Sequence, residues 1–263
     1  MNRDISSLLT DWPFVPGQIN ARMIEGDDGE PKVQVRLDLG IVQMFADGRP
    51  DGERPHGHPS LLEYYESQVE QADDPLAGEG GGESAKSDNK LTLKPDDCRA
   101  LREEAAQFYQ RFLALLVLED FERVVRDTTR NLRVLDFCQK HAQADEDKVV
   151  LEQFRPYINM MRARALASQA LKDNEPKAAI HAIDEGLEAL RLYFSDAGKP
   201  QAFDQSTEVE MLRGMRESLI PKLPVSQKSE LKQRLAKALE QENYELAAIL
   251  RDELKQLKDT YVP

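Results

Sequence analysis

Residues 95–141 read PDDCRALREEAAQFYQRFLALLVLEDFERVVRDTTRNLRVLDFCQKH. Leu101, Ala105, Phe108, Phe112 and Leu115 recur there at three- and four-residue intervals. That spacing places them in one stripe along a helix, and the polar residues between them fall on the other faces. Pro95 and Asp96 suit a first helical turn, because Pro lacks only an N–H that has no partner there and a carboxylate favours the positive end of the helix dipole. Asp120-Phe121 predicts an interruption. The region therefore reads as two long helices packed by an apolar seam, and the same pattern continues beyond it. Residues 156–171 and 177–194 are apolar-periodic on either side of Asp173-Asn174-Glu175-Pro176. Residues 207–220 predict a further helix before Pro221 and Pro224 close the segment. Residues 91–220 are thus expected to form a helical body built of repeat-like hairpins.

The N-terminal side has a different period. Residues 18–25 and 32–45 alternate apolar and polar positions, most clearly at Val33, Val35, Leu37 and Leu39. Gly26-Asp27-Asp28-Gly29 supplies turn chemistry between them, which predicts an antiparallel hairpin. Two strands are marginal alone, so its apolar side must rest on helices or a partner. Residues 47–59, DGRPDGERPHGHP, form a loop. Ser60 and Glu63 make a capping box for a helix from Leu61 to about Gln71. Residues 72–90 are rich in Gly, Ser and acid and read as a linker, leaving residues 1–71 as a unit with hairpin, loop and short helix. The fold class is mainly α with a small N-terminal antiparallel β-hairpin.

Composition narrows the function. The 263-residue chain is 40% hydrophobic and 32% charged, with a formal net charge of −13. Such a balance suits solvated helices around modest cores, and the negative excess argues against direct contact with nucleic acid by the protein as a whole. Cys98 and Cys138 have no metal-like spacing, so neither a disulfide framework nor a cysteine metal site is expected. No stretch approaches the roughly 20 apolar residues that a membrane helix needs. The reading is a soluble cytoplasmic protein.

The tail, residues 225–263, carries the most specific pattern. Leu231, Leu235, Ala238 and Leu239 share one helical face, and Ala247, Leu250, Leu254 and Leu257 share another. Glu242-Asn243-Tyr244 breaks the run between them, and Asn243 tolerates the left-handed backbone of a helix end. Leu235, Ala238, Glu242, Tyr244-Glu245, Ala247-Ala248, Leu250-Arg251-Asp252-Glu253 and Leu254 resemble the UVR motif. This helical hairpin occurs in the excision-repair proteins UvrB and UvrC and in Clp-type ATPases and their protein-kinase activators. The resemblance implies a protein-protein contact device. Its expected contact residues are Leu235, Leu239, Tyr244, Glu245, Ala247, Ala248, Arg251, Asp252 and Leu254. The partner implied is another UVR-bearing protein, of an excision-repair or a Clp-type system. A two-helix unit can equally satisfy its apolar face by forming a homo-oligomer or by packing on its own chain. Several UVR-bearing kinase activators carry paired CxxC motifs, which this sequence lacks.

Glu119-Asp120-Phe121-Glu122 and Asp173-Asn174-Glu175-Pro176 resemble the mid-turn of tetratricopeptide repeats, although the Trp-Leu-Gly part of that pattern is missing. Such pairs stack and present a surface to peptides or proteins.

Catalytic chemistry finds little support. Gly80-Gly81-Gly82-Glu83-Ser84-Ala85-Lys86-Ser87 departs from a phosphate loop at Ala85 and lacks the flanking strand and helix, so it reads as linker. His56 and His58, with Glu53 and Asp51 near them, fall short of a metal site. His141 and His181 read as surface residues, and charge runs on helices as solvated faces. No nucleophile elbow or Ser-His-Asp order occurs. Neither an enzyme nor a cofactor is expected. The leading expectation is a non-catalytic adaptor or scaffold acting through its tail. The alternative is a nucleic-acid-associated excision-repair accessory whose loop uses Arg49, Arg54, His56 and His58.

Overall fold

The computed structural model describes residues 4–73 and 91–219 and, within the tail, residues 234–237, 240 and 249–251. The chain divides into two units, Met1–Arg216 and Glu217–Pro263. The linker expectation and the glycine-rich stretch at 80–87 fall largely or wholly outside the described residues.

The alternating stretch forms three strands where two were expected: β1 (Asn20–Glu25), β2 (Pro31–Leu37) and β3 (Gly40–Phe45), in the order β1-β2-β3. The alternation over 32–45 predicts one extended segment. It folds back at Asp38-Leu39, so that Leu37 faces Gly40 across an antiparallel ladder and Val33 faces both Met23 and Met44. Leu39 sits at the tip of that turn and is 88% exposed. A turn residue answers to backbone geometry and not to the alternation of its neighbours. A short helix, α1 (Ser6–Asp11), precedes the sheet and buries none of its residues.

The helical body follows the predicted periods closely. α2 (Leu61–Asp73) is followed by α3 (Pro95–Val117) and α4 (Phe121–His141). The stripe Cys98, Leu101, Ala105, Phe108, Phe112 and Leu115 is buried throughout. Leu62 of α2, Leu101 of α3 and Val134, Leu135 and Cys138 of α4 meet in one core cluster with Leu93, Leu151 and Ile158. After α5 (Asp145–Val149) come α6 (Arg155–Lys172), α7 (Pro176–Asp196) and α8 (Thr207–Leu219).

Both long hairpins turn in the same way. α3 ends with Glu119 at φ 57°, where Asp120 N donates to Leu115 O at 3.0 Å and Glu119 N to Leu116 O at 3.2 Å. α6 ends with Asn174 at φ 61°, where Glu175 N donates to Ala170 O at 2.7 Å and Asn174 N to Leu171 O at 3.0 Å. This paired arrangement satisfies carbonyls that the last helical turn leaves open. Asp120 then accepts from Arg123 N at 3.3 Å and caps α4, while Pro176 occupies the first turn of α7. The resemblance between the two turn sequences therefore corresponds to one shared backbone solution.

His141, expected at the surface, is buried. The segment before α3 lies along the end of α4: Leu93 N donates to His141 O at 2.8 Å, and Gln143 N donates to Leu93 O at 2.9 Å. Those bonds draw the His141 ring under Leu91 O and against Phe137, with ring centroids 4.5 Å apart. The fourth histidine, His181, is exposed on α7 beside Glu185.

Candidate interaction sites

Two of the predicted tail contacts, Leu235 and Arg251, can be placed, together with the apolar Leu250. Leu235 is half-buried in the helical stretch 234–237, and Leu250, within 249–251, is 2% exposed. Its neighbours Ile249 and Arg251 are exposed. Burial of Leu250 between two exposed residues is the one-sided pattern that helical spacing predicts. Leu239, Tyr244, Glu245, Ala247, Ala248, Asp252 and Leu254 lie outside the described residues, as does the predicted break at Glu242-Asn243-Tyr244.

The loop residues Arg49, Arg54, His56 and His58 do not converge. Arg49 turns inward, 3.2 Å from Asp51, 3.6 Å from Glu53 and 3.7 Å from the buried Glu104. His56 takes φ 52° and stacks on Tyr64 with centroids 4.1 Å apart, and His58 meets the same ring edge-on at 5.5 Å. Arg54 is exposed. Arg49 is thus engaged by carboxylates of its own chain, and the two histidines share one tyrosine ring. Among the described residues, no three His, Cys, Asp or Glu side chains gather in a metal-ligating cluster.

What sequence reading missed is an arginine clamp on the exit of β3. Arg111 of α3 forks onto Asp127 of α4, Nε to Oδ2 at 2.7 Å and Nη2 to Oδ1 at 2.8 Å. Both side chains are fully buried. Its Nη1 donates to Phe45 O and Gly48 O, each at 2.8 Å. Arg126 donates through Nη2 to Ala46 O at 2.7 Å, and through Nε to Asp127 Oδ1 at 3.0 Å. Arg123 forks onto Asp47 at 2.9 and 2.8 Å. Arg123, Arg126, Arg130 and Arg133 recur at three- and four-residue spacing, a pattern that could have pointed to one face of α4. Nothing in that spacing says that the face is covered.

Asp47 feels the clamp most. The hydrogen bond from Arg123, strengthened by Arg126, lowers its carboxyl from 3.8 to about 2. A depressed folded-state pKa stabilises the fold above the unfolded value, and that contribution is lost as pH falls from about 4 toward about 2. Thermal unfolding of wild type and Asp47→Asn across that range is therefore expected to show a gap that is full above pH 4.5 and closes progressively with acid. A gap independent of pH would show that Asp47 acts through its shape alone.

Two further features lie in the body. Cys98 and Cys138 are buried thiols that face each other across α3 and α4, and burial pushes both up, Cys138 to about 12. They are consequently poor nucleophiles at neutral pH. An apolar cleft of about 350 Å³ lies among α3, α4 and α6, with Tyr109, Phe154 and Tyr157 among its lining residues. Burial and the neighbouring Tyr109 raise the Tyr157 hydroxyl above its usual range.

No helix among the described residues is long and apolar enough to cross a membrane. In comparison with known families, residues 226–260 match the UvrB/uvrC motif. No curated protein and no solved structure matches the chain. The chain thus carries, confined to its C-terminal region, a UvrB/uvrC motif joined to a mainly helical body with a three-stranded N-terminal sheet.

Proposed function

We propose that the protein is a non-catalytic adaptor whose tail recruits a protein partner. The observation that carries this reading is the match of residues 226–260 to the UvrB/uvrC motif. The placement of Leu250, buried between the exposed Ile249 and Arg251, supports it by giving this stretch of the tail one covered and one exposed side. The clamped sheet and the helical body serve as the carrier from which the tail acts. The partner of first choice is another UVR-bearing protein, from an excision-repair or a Clp-type system.

The test is titration calorimetry of the full chain against UVR-bearing candidates of both systems. Saturable binding is expected, weakened at least about tenfold in the Tyr244→Ala/Arg251→Ala double variant, because Tyr and Arg side chains dominate interface energetics. Binding that ignores the double variant, or none with any candidate, would remove this reading.

A further inference from the structure

We propose that the groove between α4 and the loop entering α2 binds a single phosphoryl group. The groove has a volume of about 350 Å³ and is lined by Gly48, Pro59 and Ser60 on the loop side and by Thr129, Arg130 and Arg133 on the helix side. Arg130 is 5% exposed and stacks over the Phe108 ring at 4.1 Å from its centroid. Its Nη1 donates to Asn131 Oδ1 at 3.2 Å and its Nη2 is ion-paired with Glu104, but among the described residues its Nε has no hydrogen-bond partner.

A buried guanidinium with an unmet donor is a costly arrangement, and a bound oxyanion relieves it. Burial lowers Arg130 to about 9; Glu63 and Glu66 partly oppose this, while Arg133 and Arg49 add to it. Two more donors line the same groove. Arg133 spends Nε and Nη2 on Glu66, which leaves Nη1. Thr129 Oγ1 accepts from Arg162 Nε at 3.0 Å, so its own O–H proton remains to be given. Two guanidinium N–H groups and one hydroxyl can each donate to a different oxygen of a tetrahedral oxyanion, whereas a carboxylate offers only two oxygens. Glu63 and Asp127, which line the same groove, set the limit at one phosphoryl group, because a polyanion would meet those carboxylates.

The test uses the full chain, with inorganic phosphate, O-phosphoserine and acetate at ionic strength matched by sodium chloride. Phosphate and phosphoserine are expected to raise the unfolding midpoint saturably, whereas acetate and chloride are not. Calorimetric affinity for phosphate is expected to fall at least about tenfold in Arg133→Gln, the loss of one charge-assisted hydrogen bond. It falls several-fold in Thr129→Ala, and both variants should unfold near the wild-type midpoint without ligand. Arg99→Gln, which removes only an exposed pair with Asp96, is expected to bind as wild type does. Tighter binding of phosphoserine than of phosphate assigns the group to an esterified ligand, and the reverse assigns it to the free ion. An equal response to acetate, no saturable response to either phosphate compound, or unchanged affinity in both groove variants would overturn the proposal.

Discussion

Replacing Asp127 by Asn, or Arg111 by Met, is expected to cost about 3–5 kcal/mol of unfolding free energy, the largest single-site loss in the body. Neither side chain touches water, so removing one partner strands the other where no solvent can replace it. The two variants should differ in kind. In Asp127→Asn the guanidinium loses its counter-charge but keeps Phe45 O and Gly48 O. In Arg111→Met those two carbonyls lose their donor as well, while Asp127 retains only Arg126. Hydrogen exchange at β2 and β3 should therefore quicken more in Arg111→Met, because the exit of β3 is released from α3. The paired change Arg111→Met/Asp127→Leu is expected to recover most of the loss, since well-packed apolar residues often replace a buried ion pair at little cost. Urea titration monitored by circular dichroism gives the free energies. Single-site losses under about 1 kcal/mol would show that the pair is not what anchors the sheet.

Why the clamp escaped sequence reading while the helices did not is a matter of distance along the chain. Leu101, Phe108 and Leu115 announce a buried stripe because helical geometry brings residues three and four apart together, whatever the rest of the fold does. Arg111 pairs with Asp127 only because the turn at Glu119 folds α4 back along α3, and it reaches Phe45 only because the sheet docks there. In sequence, both charges look like part of a solvated face. The rule that charged faces are exposed fails on helices covered from more than one side, and α4 meets α3, α6 and the loop after β3. His141 was misread for the same reason, since the segment that buries it arrives from before α3.

The sheet shows the converse limit. Alternation located the strand through Val33 and Val35 but not its buried face, since Lys32, Gln34 and Arg36 are buried while Val35 is half-buried; the fold-back at Asp38-Leu39 has no glycine at its two central positions, so the run reads as one strand. At the tail the motif was legible at the level of single residues. Its placed members agree with the helical pattern: Leu250 is buried and Leu235 half-buried. The apparent loop site was less legible. Basic and histidine side chains in a turn-rich segment advertise a contact surface, yet Arg49 faces carboxylates of its own chain and the two histidines pack on Tyr64.

Gly186 of α7 lies against Ala163 of α6 with no room for a Cβ, and Gly186→Ala is expected to destabilise the protein by about 1–3 kcal/mol, with Gly186→Val at or beyond the upper end. Glycine in the middle of a helix is itself unfavourable, by about 1 kcal/mol relative to alanine. Its presence in α7 therefore needs a reason, and the packing supplies it. A Cβ there would lie well inside van der Waals contact of Ala163 Cβ on α6, and 3.2 Å from Leu212 Cδ1 on α8. Ala163 belongs to a helix whose backbone cannot retreat without moving Met160 and Ala167, both buried. Gly214 of α8 is the matched control, because a Cβ added there meets nothing within 4 Å. Gly214→Ala should stabilise by up to about 1 kcal/mol through helix propensity alone, the opposite sign for the same chemical change. Ala163→Gly placed in the Gly186→Ala background should restore most of the loss, giving a coupling energy that two independent sites would not show. If both alanine variants instead gain stability, the helices α6 and α7 have room to separate, and glycine is not what holds them at contact distance.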